Sequence, residues 1–547
     1  MKSRPDALRD IAAPQFDVCV IGAGASGAGC ALDSQLRGFQ TALVDAGDFA
    51  CATSSASTKL AHGGVRYLQQ AVAELDFGQL KVVREALRER ILLLRNAPHL
   101  VHSLEFVVPC FNAFDRLYFG AGMKVYDWLA GNASLGSSRI LNKQETLRLV
   151  PTLNADRLVG GVAYRDGQFD DARLAVTLVK TFADAGGDVA NYLRIVDFEK
   201  ESGGKLIAAV AEDVFTRQRV AIRARAFVNA TGPFSDEVRL MATPVLPKRL
   251  VRSKGAHILL PLDEDVNDAL LIPKTEDGRV IFAIPWLGRL LVGTTDQEVP
   301  TAEEPVVTQE DAAYLLRHLN RYTAQQYAHD EIVSAFAGVR PLVQPVHTRQ
   351  TKKLVREHEV EVDERSGLVS ILGGKWTTYR VMAENTIDAV AKMLGGLGGQ
   401  TNSQHHQLAG AAGYTTESWR TLAREYELTE PAARHLAEKF GMESARVLEL
   451  TKEDPDLKSP IVAGAPPICA EIVYCAQQEM AVTIEDLLAR RIGLQYFDWR
   501  LAMEAAPVVA SHLARELGWS DQQRNEAIQD YIGKIARWLA AIGLPTG

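Results

Sequence analysis

A short apolar run, Asp17–Ile21, leads into Gly22-Ala-Gly24-Ala-Ser-Gly27, and a second apolar run, Gln40–Val44, ends on Asp45. The stretch between them, to Gly38, reads as a turn and a helix. Strand, glycine turn, helix and strand together make a βαβ opening. The three glycines do different things. Gly22 permits a tight turn, Gly24 lets backbone approach a pyrophosphate, and Gly27 lets the helix lie close on the strand. The pyrophosphate then meets a helix N-terminus, where free N–H groups and the helix dipole favour an anion. Asp45, 18 residues after Gly27, is placed to accept from a ribose hydroxyl. A Rossmann-like dinucleotide-binding domain is the expectation.

The chain of 547 residues has room for two or three domains. Its 60 basic and 68 acidic residues leave a net charge of -8, which argues against a general nucleic-acid binder. Cys19, Cys30, Cys51, Cys110, Cys469 and Cys475 form no CxxC pair and no metal spacing, so a reducing compartment is expected. The N-terminal MKSRPDALRDIAAPQF lacks the apolar core of a secretory signal. No uninterrupted apolar run approaches the roughly 20 residues of a membrane span. A cytoplasmic protein is expected, with a membrane surface still open to it.

Further along, Asp76–Ala97 reads as an amphipathic helix with Leu80, Val83, Leu87, Ile91 and Leu94 on one face. Arg225–Asn229 is a strand running into Ala230-Thr231-Gly232. Val280–Ile284 and Leu290–Gly293, split at Leu287-Gly288, suggest an antiparallel sheet apart from the nucleotide half. Leu368–Leu372 is a strand leading into Gly373-Gly374-Lys375, with a helix over about Tyr379–Leu394. The glycine- and glutamine-rich segment 395–413 reads as a linker, in which His405-His406 lacks further metal ligands. Thr415–Trp538 is rich in helical patterns, as in Ala470–Arg491. The aromatic-rich segment Arg116–Leu129 fits either an interfacial anchor or a core helix.

There is one dinucleotide fingerprint, whereas enzymes passing electrons between a nicotinamide and a flavin usually carry two. Ala230-Thr231-Gly232 and Gly373-Gly374 offer further places for backbone to lie against a large cofactor. Both points favour FAD as the sole dinucleotide, with the two-electron chemistry belonging to the flavin.

At this level of detail the chain resembles the FAD-dependent glycerol-3-phosphate dehydrogenases. Ile21–Gly38 is similar to the family's first signature, with Ala23 where a third glycine is common. Gly373–Ala383 (GGKWTTYRVMA) is similar to the second. Thr53–Leu68, Val228–Phe234, Lys254–Pro261, Ile284–Trp286, Gly293–Asp296 and Gly338–Leu342 follow in family order, and Ala470–Arg491 resembles the C-terminal helical domain. The loop after Pro341 (LVQPVHTRQTKK) departs from the pattern. The resemblance implies an α/β and α+β architecture. A Rossmann-like FAD-binding domain over 14–394 would be interleaved with an antiparallel-sheet substrate domain, mostly 98–160 and 246–335. The linker 395–413 and an all-helical domain over 414–547 would complete it.

The same resemblance implies oxidation of sn-glycerol 3-phosphate to dihydroxyacetone phosphate, with electrons leaving for a quinone. It implies an enzyme peripherally associated with the cytoplasmic membrane, with a homodimer as a further expectation. Thr53, Ser54 and Ser57, with Lys59 and His62 in the same run, would form the polar bed of FAD. Gly63 and Gly64 would let the chain pass close to the flavin. Gly373, Gly374 and Thr377 would lie near its ring.

A phosphate of charge near -2 needs fixed cations, and Arg66, Arg340, Arg356 and Lys375 are the candidates, with Tyr67 as a hydrogen-bond partner. Oxidation at C2 also releases a proton to a base. His257, placed before a strand in Lys-Gly-Ala-His, is the first candidate. Lys375 is the rival, since neighbouring arginines would lower the pKa of its ammonium. Alternative readings are a glycerol-3-phosphate oxidase using O2, a dehydrogenase of another polyol phosphate such as erythritol phosphate, and a non-catalytic FAD-binding module.

Overall fold

In the computed structural model, which describes residues 1–13, 15–63, 77–263, 266–344 and 358–546, the fingerprint strand Gln15–Ile21 lies inside an eight-stranded sheet. It pairs in parallel with Thr41–Val44 on one side and with Arg219–Asn229 on the other. Asp188–Ala190 extends the sheet beyond Thr41–Val44, and Leu368–Gly373 and His358–Val362 extend it beyond Arg219–Asn229. Both faces are covered, so the strand reads as continuous apolar sequence rather than alternating. Val18 and Val20 join a core with Ala28, Leu32, Met382 and Ile387 of the helices Ala25–Leu36 and Tyr379–Met393. Cys19 and Ile21 face the opposite core, with Phe198, Ile222 and Phe227.

The second sheet has ten strands and is mostly antiparallel. Ile281–Trp286 and Arg289–Gly293 pair as expected. Between them Leu287 and Gly288 both have positive φ, the geometry that a two-residue hairpin turn needs to match strand twist. Leu250–Pro261 runs against Ser334–Val343 over a long register, Leu250 opposite Val343 and Leu259 opposite Ser334. His257 therefore sits within a strand and not before one. The sheet also takes in Leu60–Ala61, Gly160–Phe169 and Ser334–Val343, beyond the segments 98–160 and 246–335.

C-terminal helices follow from Ser418 to Ile542. They share one core with the second sheet: Ile258, Leu270 and Leu315 pack in a cluster with Leu436, Phe440, Val509 and Leu539. The segment 395–413 has no regular element, yet it is tied down. Gly399 N–H donates to Arg37 O, Leu408 N–H donates to Asn96 O, and Leu408 is buried. Ala470–Arg491 is two helices, Cys469–Gln478 and Asp486–Arg491, instead of one run. Met480 takes a positive φ, Glu479 turns inward onto Arg173, and Asp486 accepts from the N–H groups of Val482 and Thr483. Capping chemistry restarts the helix there.

Candidate active site

A cavity of about 1280 Å³ runs along the C-terminal ends of the parallel strands and on beneath the second sheet. Small-molecule pockets typically run to roughly 300–1,000 Å³, so this space suits a larger ligand. Gly22, with φ of 100°, turns the chain so tightly that a Cβ there would stand 2.7 Å from Ala230 O. A Cβ on Gly27 would meet Gly22 O at 1.7 Å, so the helix lies against the turn as only glycine allows. Gly24 caps the helix Ala25–Leu36 without a side chain, and Gly24, Ala25 and Ser26 line the cavity. The helix N-terminus thus faces the space with one donor, Ala25 N–H, already bonded to Ser54 Oγ at 2.9 Å.

Asp45 ends the second strand in the same wall. Its carboxylate accepts from Ala23 N–H at 2.6 Å and Gly47 N–H at 2.9 Å. Burial pushes its pKa up from 3.8 to about 6, against the pull of those two bonds. A helix N-terminus for pyrophosphate, an acid for ribose and a long cavity fit a dinucleotide.

The loop 53–58 is held from three sides. Thr53 Oγ1 donates to Val339 O at 2.6 Å, Trp376 Nε1 donates to Ser54 O at 2.9 Å, and Ser57 N–H donates to Asp171 at 2.9 Å. Thr53, Ser54, Ser57 and His62 line the cavity, as do Ala230, Thr231 and Gly232. Gly373, Gly374 and Thr377 line it from the second signature. Lys59 does not. Its Nζ is buried under the loop, 2.6 Å from Asp171 Oδ1 and 2.7 Å from Ser55 O, within 4.8 Å of the ring centres of Trp286, Phe336 and Tyr496. An ammonium so paired anchors the loop from below. Gly63 N–H points to Tyr126 OH at 3.1 Å. Gly64, Arg66, Tyr67 and Arg356 lie outside the described residues.

His257, Arg340 and Lys375 line the same cavity. His257 is buried and stacks on its cross-strand neighbour Phe336 at 4.8 Å between ring centres. Its Nε2 lies 3.0 Å from Thr58 Oγ1, and its Nδ1 has no hydrogen-bond partner among the described residues. Burial, then the charges of Arg340 and Lys59, push its pKa well below 6.5. The imidazole is neutral. Gly293 lies opposite it, and a Cβ there would be 2.0 Å from the ring. Arg340 Nη2 donates to Thr294 Oγ1 at 2.9 Å, with Asp296 at 3.6 Å from Nη1. Gly255 makes room for that guanidinium: a Cβ would be 2.4 Å from Nη2.

Several cavity residues went unassigned in the sequence. Thr58 lines the cavity from inside one family-like motif, and Thr294 and Asp296 sit in another, beside Arg340 without lining the cavity; each is a neighbour of an assigned residue. Phe336, Tyr496, Arg490, Lys534 and Trp538 also line the space, the last four from the C-terminal helices. Nothing local marks them, since their partners lie far away in sequence.

Residues 17–380 match the family described as FAD dependent oxidoreductase, and residues 401–524 match the C-terminal domain of alpha-glycerophosphate oxidase. The mitochondrial glycerol-3-phosphate dehydrogenase of Mus musculus is 38% identical over 94% of this chain and 72% of its own length. The mitochondrial enzyme of Arabidopsis thaliana is 38% identical over 95% of this chain and 85% of its own. Among solved structures, the glycerol-3-phosphate dehydrogenase of Bacillus halodurans, complexed with FAD, superposes with a TM-score of 0.80 at 30% identity, covering 99% of this chain and 98% of that one.

Proposed function

The chain belongs to the FAD-dependent glycerol-3-phosphate dehydrogenase family, and on that premise we propose that it oxidises sn-glycerol 3-phosphate to dihydroxyacetone phosphate and passes the electrons to a quinone at the cytoplasmic membrane surface. The observation that carries the reading is the meeting of the fingerprint, His257, Arg340 and Lys375 in one cavity. Bound FAD supplies the hydride acceptor. Arg340 presents planar paired donors to the phosphate, joined by Lys375 and, from the resemblance, Arg66, Tyr67 and Arg356. His257 takes the hydroxyl proton. The imidazole is in the form that can accept one and its Nδ1 is uncommitted among the described residues, while the burial and positive neighbours that lower its pKa disfavour the imidazolium that results. Lys375 is the second candidate for that role.

Anaerobic addition of glycerol 3-phosphate to the yellow holoenzyme should bleach the flavin band, and a quinone analogue should restore it. Bleaching by erythritol phosphate instead would move the substrate. Stoichiometric peroxide in air, with no response to quinone, would make the enzyme an oxidase.

The membrane reading draws on the helix Ala113–Ala130. One face is core, with Met123, Tyr126 and Leu129 buried. The other is apolar and open: Phe114, Leu117 and Trp128 are about 70% exposed, at 75%, 68% and 71%. No helix among the described residues is long and apolar enough to cross a membrane, so the contact would be interfacial. Sedimentation with anionic vesicles, reduced by Leu117→Asp and Trp128→Asp, is the expected result. Wild-type protein left in the supernatant at low salt would sink it.

A further inference from the structure

The C-terminal helices touch the cofactor wall at one point of dense charge. Asp48 follows Asp45 by one turn of loop and is fully buried. Its Oδ2 accepts from Arg490 Nε at 2.5 Å and from Arg491 Nη1, and its Oδ1 accepts from Arg491 Nη2 at 2.9 Å and Asn191 Nδ2 at 3.3 Å. Both cations come from the Asp486–Arg491 helix, more than 440 residues along the chain. Burial raises the Asp48 carboxyl and the two guanidiniums lower it further, so it stays ionised. The arginines are themselves fixed: Arg490 Nη2 donates to Asp486 at 2.7 Å, and Arg491 Nη2 donates to Glu479 O at 2.8 Å.

From the other side the same loop is bonded to the strand end at 190–193. Tyr192 N–H donates to Gly47 O at 2.8 Å and Leu193 N–H to Asp45 O at 2.7 Å. Tyr192 OH then donates to Asp486 Oδ1 at 2.6 Å, closing the circuit on the C-terminal helix. The loop that carries Asp45 is thus gripped between two segments, and one grip runs through the buried charges of Asp48, Arg490 and Arg491. A buried carboxylate that loses one of two guanidiniums is left under-compensated, so the loop would shift to find water.

We propose that the C-terminal helical region is a cofactor-retaining clamp, in which Arg490 and Arg491 act as positioning residues. Through Asp48 they hold the Asp45 loop in the shape that binds the adenosine half of FAD. The proposal rests on the reading that FAD lies along this wall. It also gives the C-terminal helices a role beyond sharing a core with the second sheet.

Arg491→Lys keeps the charge but loses the paired donors, and Asp48→Asn keeps the volume but loses the charge. Both should weaken FAD binding by about tenfold or more, read as Kd by flavin fluorescence on the apoprotein and as the rate of FAD release. For Arg491→Lys the effect should fall on FAD and not on the KM for glycerol 3-phosphate measured at saturating FAD. Lys439→Met is the comparison. Lys439 ties the same helical region to Asp170 at 2.5 Å, and neither residue lines the cavity. It should lower Tm and leave the FAD Kd within about twofold. An unchanged FAD Kd in Arg491→Lys and Asp48→Asn, with Tm lowered as in Lys439→Met, would overturn the clamp. Wild-type apoprotein that binds no FAD would overturn the underlying reading instead.

Discussion

At one end of the cavity Gly22, Gly24 and Gly27 act through the side chains they lack, whereas at the other His257, Arg340 and Lys375 act through those they carry. The glycine end is local. Its geometry is set within one βαβ unit, and a Cβ at Gly27 would collide with a carbonyl of the turn five residues earlier. The charged end is assembled from distant strands. His257 comes from Leu250–Pro261, Arg340 from Ser334–Val343, and the hydroxyl beside the imidazole from the loop at Thr58. A cofactor bed can be written in one short segment because it mostly needs backbone. A reacting centre needs several side chains at fixed distances, which only a sheet of long register provides.

The contrast is broken most sharply at the glycine end. Gly27→Val should abolish a flavin-loaded fold, costing upwards of about 4 kcal/mol by forcing helix from strand. Urea denaturation and the flavin absorbance of purified protein check this, and a stable yellow protein would show that the close packing is dispensable. At the charged end the fold should survive. His257→Gln should lower kcat on the order of 100-fold with little change in KM. If Lys375 takes the proton instead, His257→Gln will keep near-normal kcat and Lys375→Met will lose it. Because the His257 pKa is pushed well below 6.5, the imidazole should contribute no acid limb to kcat between about pH 6 and 8. Arg340→Lys should act mainly on KM, with kcat/KM down by about 30- to 100-fold. A drop confined to kcat would place Arg340 at the reacting carbon and not at the phosphate.

The same division explains what could be read from the sequence. The βαβ opening, the hairpin at Leu287-Gly288 and the helix after the second signature were legible because spacing and turn chemistry fix them within a few residues. The placement of Lys59 was not. Its partners, Asp171 and the rings of Trp286, Phe336 and Tyr496, are scattered over the chain, whereas the run of serines around it assigns Lys59 to the polar bed of FAD. His257 reads as lying before a strand, whereas it sits mid-strand, two residues after the Gly255 that admits the Arg340 guanidinium. The break at Glu479–Thr483 was hidden for a related reason. An apolar helical pattern continues across it, and the pattern does not show the partners at the break, Arg173 on Glu479 and Asp486 on the N–H groups of Val482 and Thr483. Arg66, Tyr67 and Arg356 remain expectations from resemblance, lying outside the described residues.

The smallest effect tests whether the glycine end is as passive as its backbone suggests. Asp45 brings a charged group to that end, and burial raises its pKa from 3.8 to about 6. For a raised carboxyl the sign is definite: the stability it contributes to the apoprotein is present below its ordinary value and is lost as pH rises through about 6, because ionisation in the fold is disfavoured. FAD should reverse this, since a ribose hydroxyl donates to the carboxylate and favours the ionised form. The difference in Tm between holo- and apoprotein should therefore widen as pH rises through about 6. Taking the difference removes the titration of carboxylates that FAD does not touch. In Asp45→Asn the same difference should be flat with pH. A wild-type difference that is flat or narrows across that window would mean that Asp45 meets no ribose, and that the acid at the strand end serves only the N–H groups of Ala23 and Gly47.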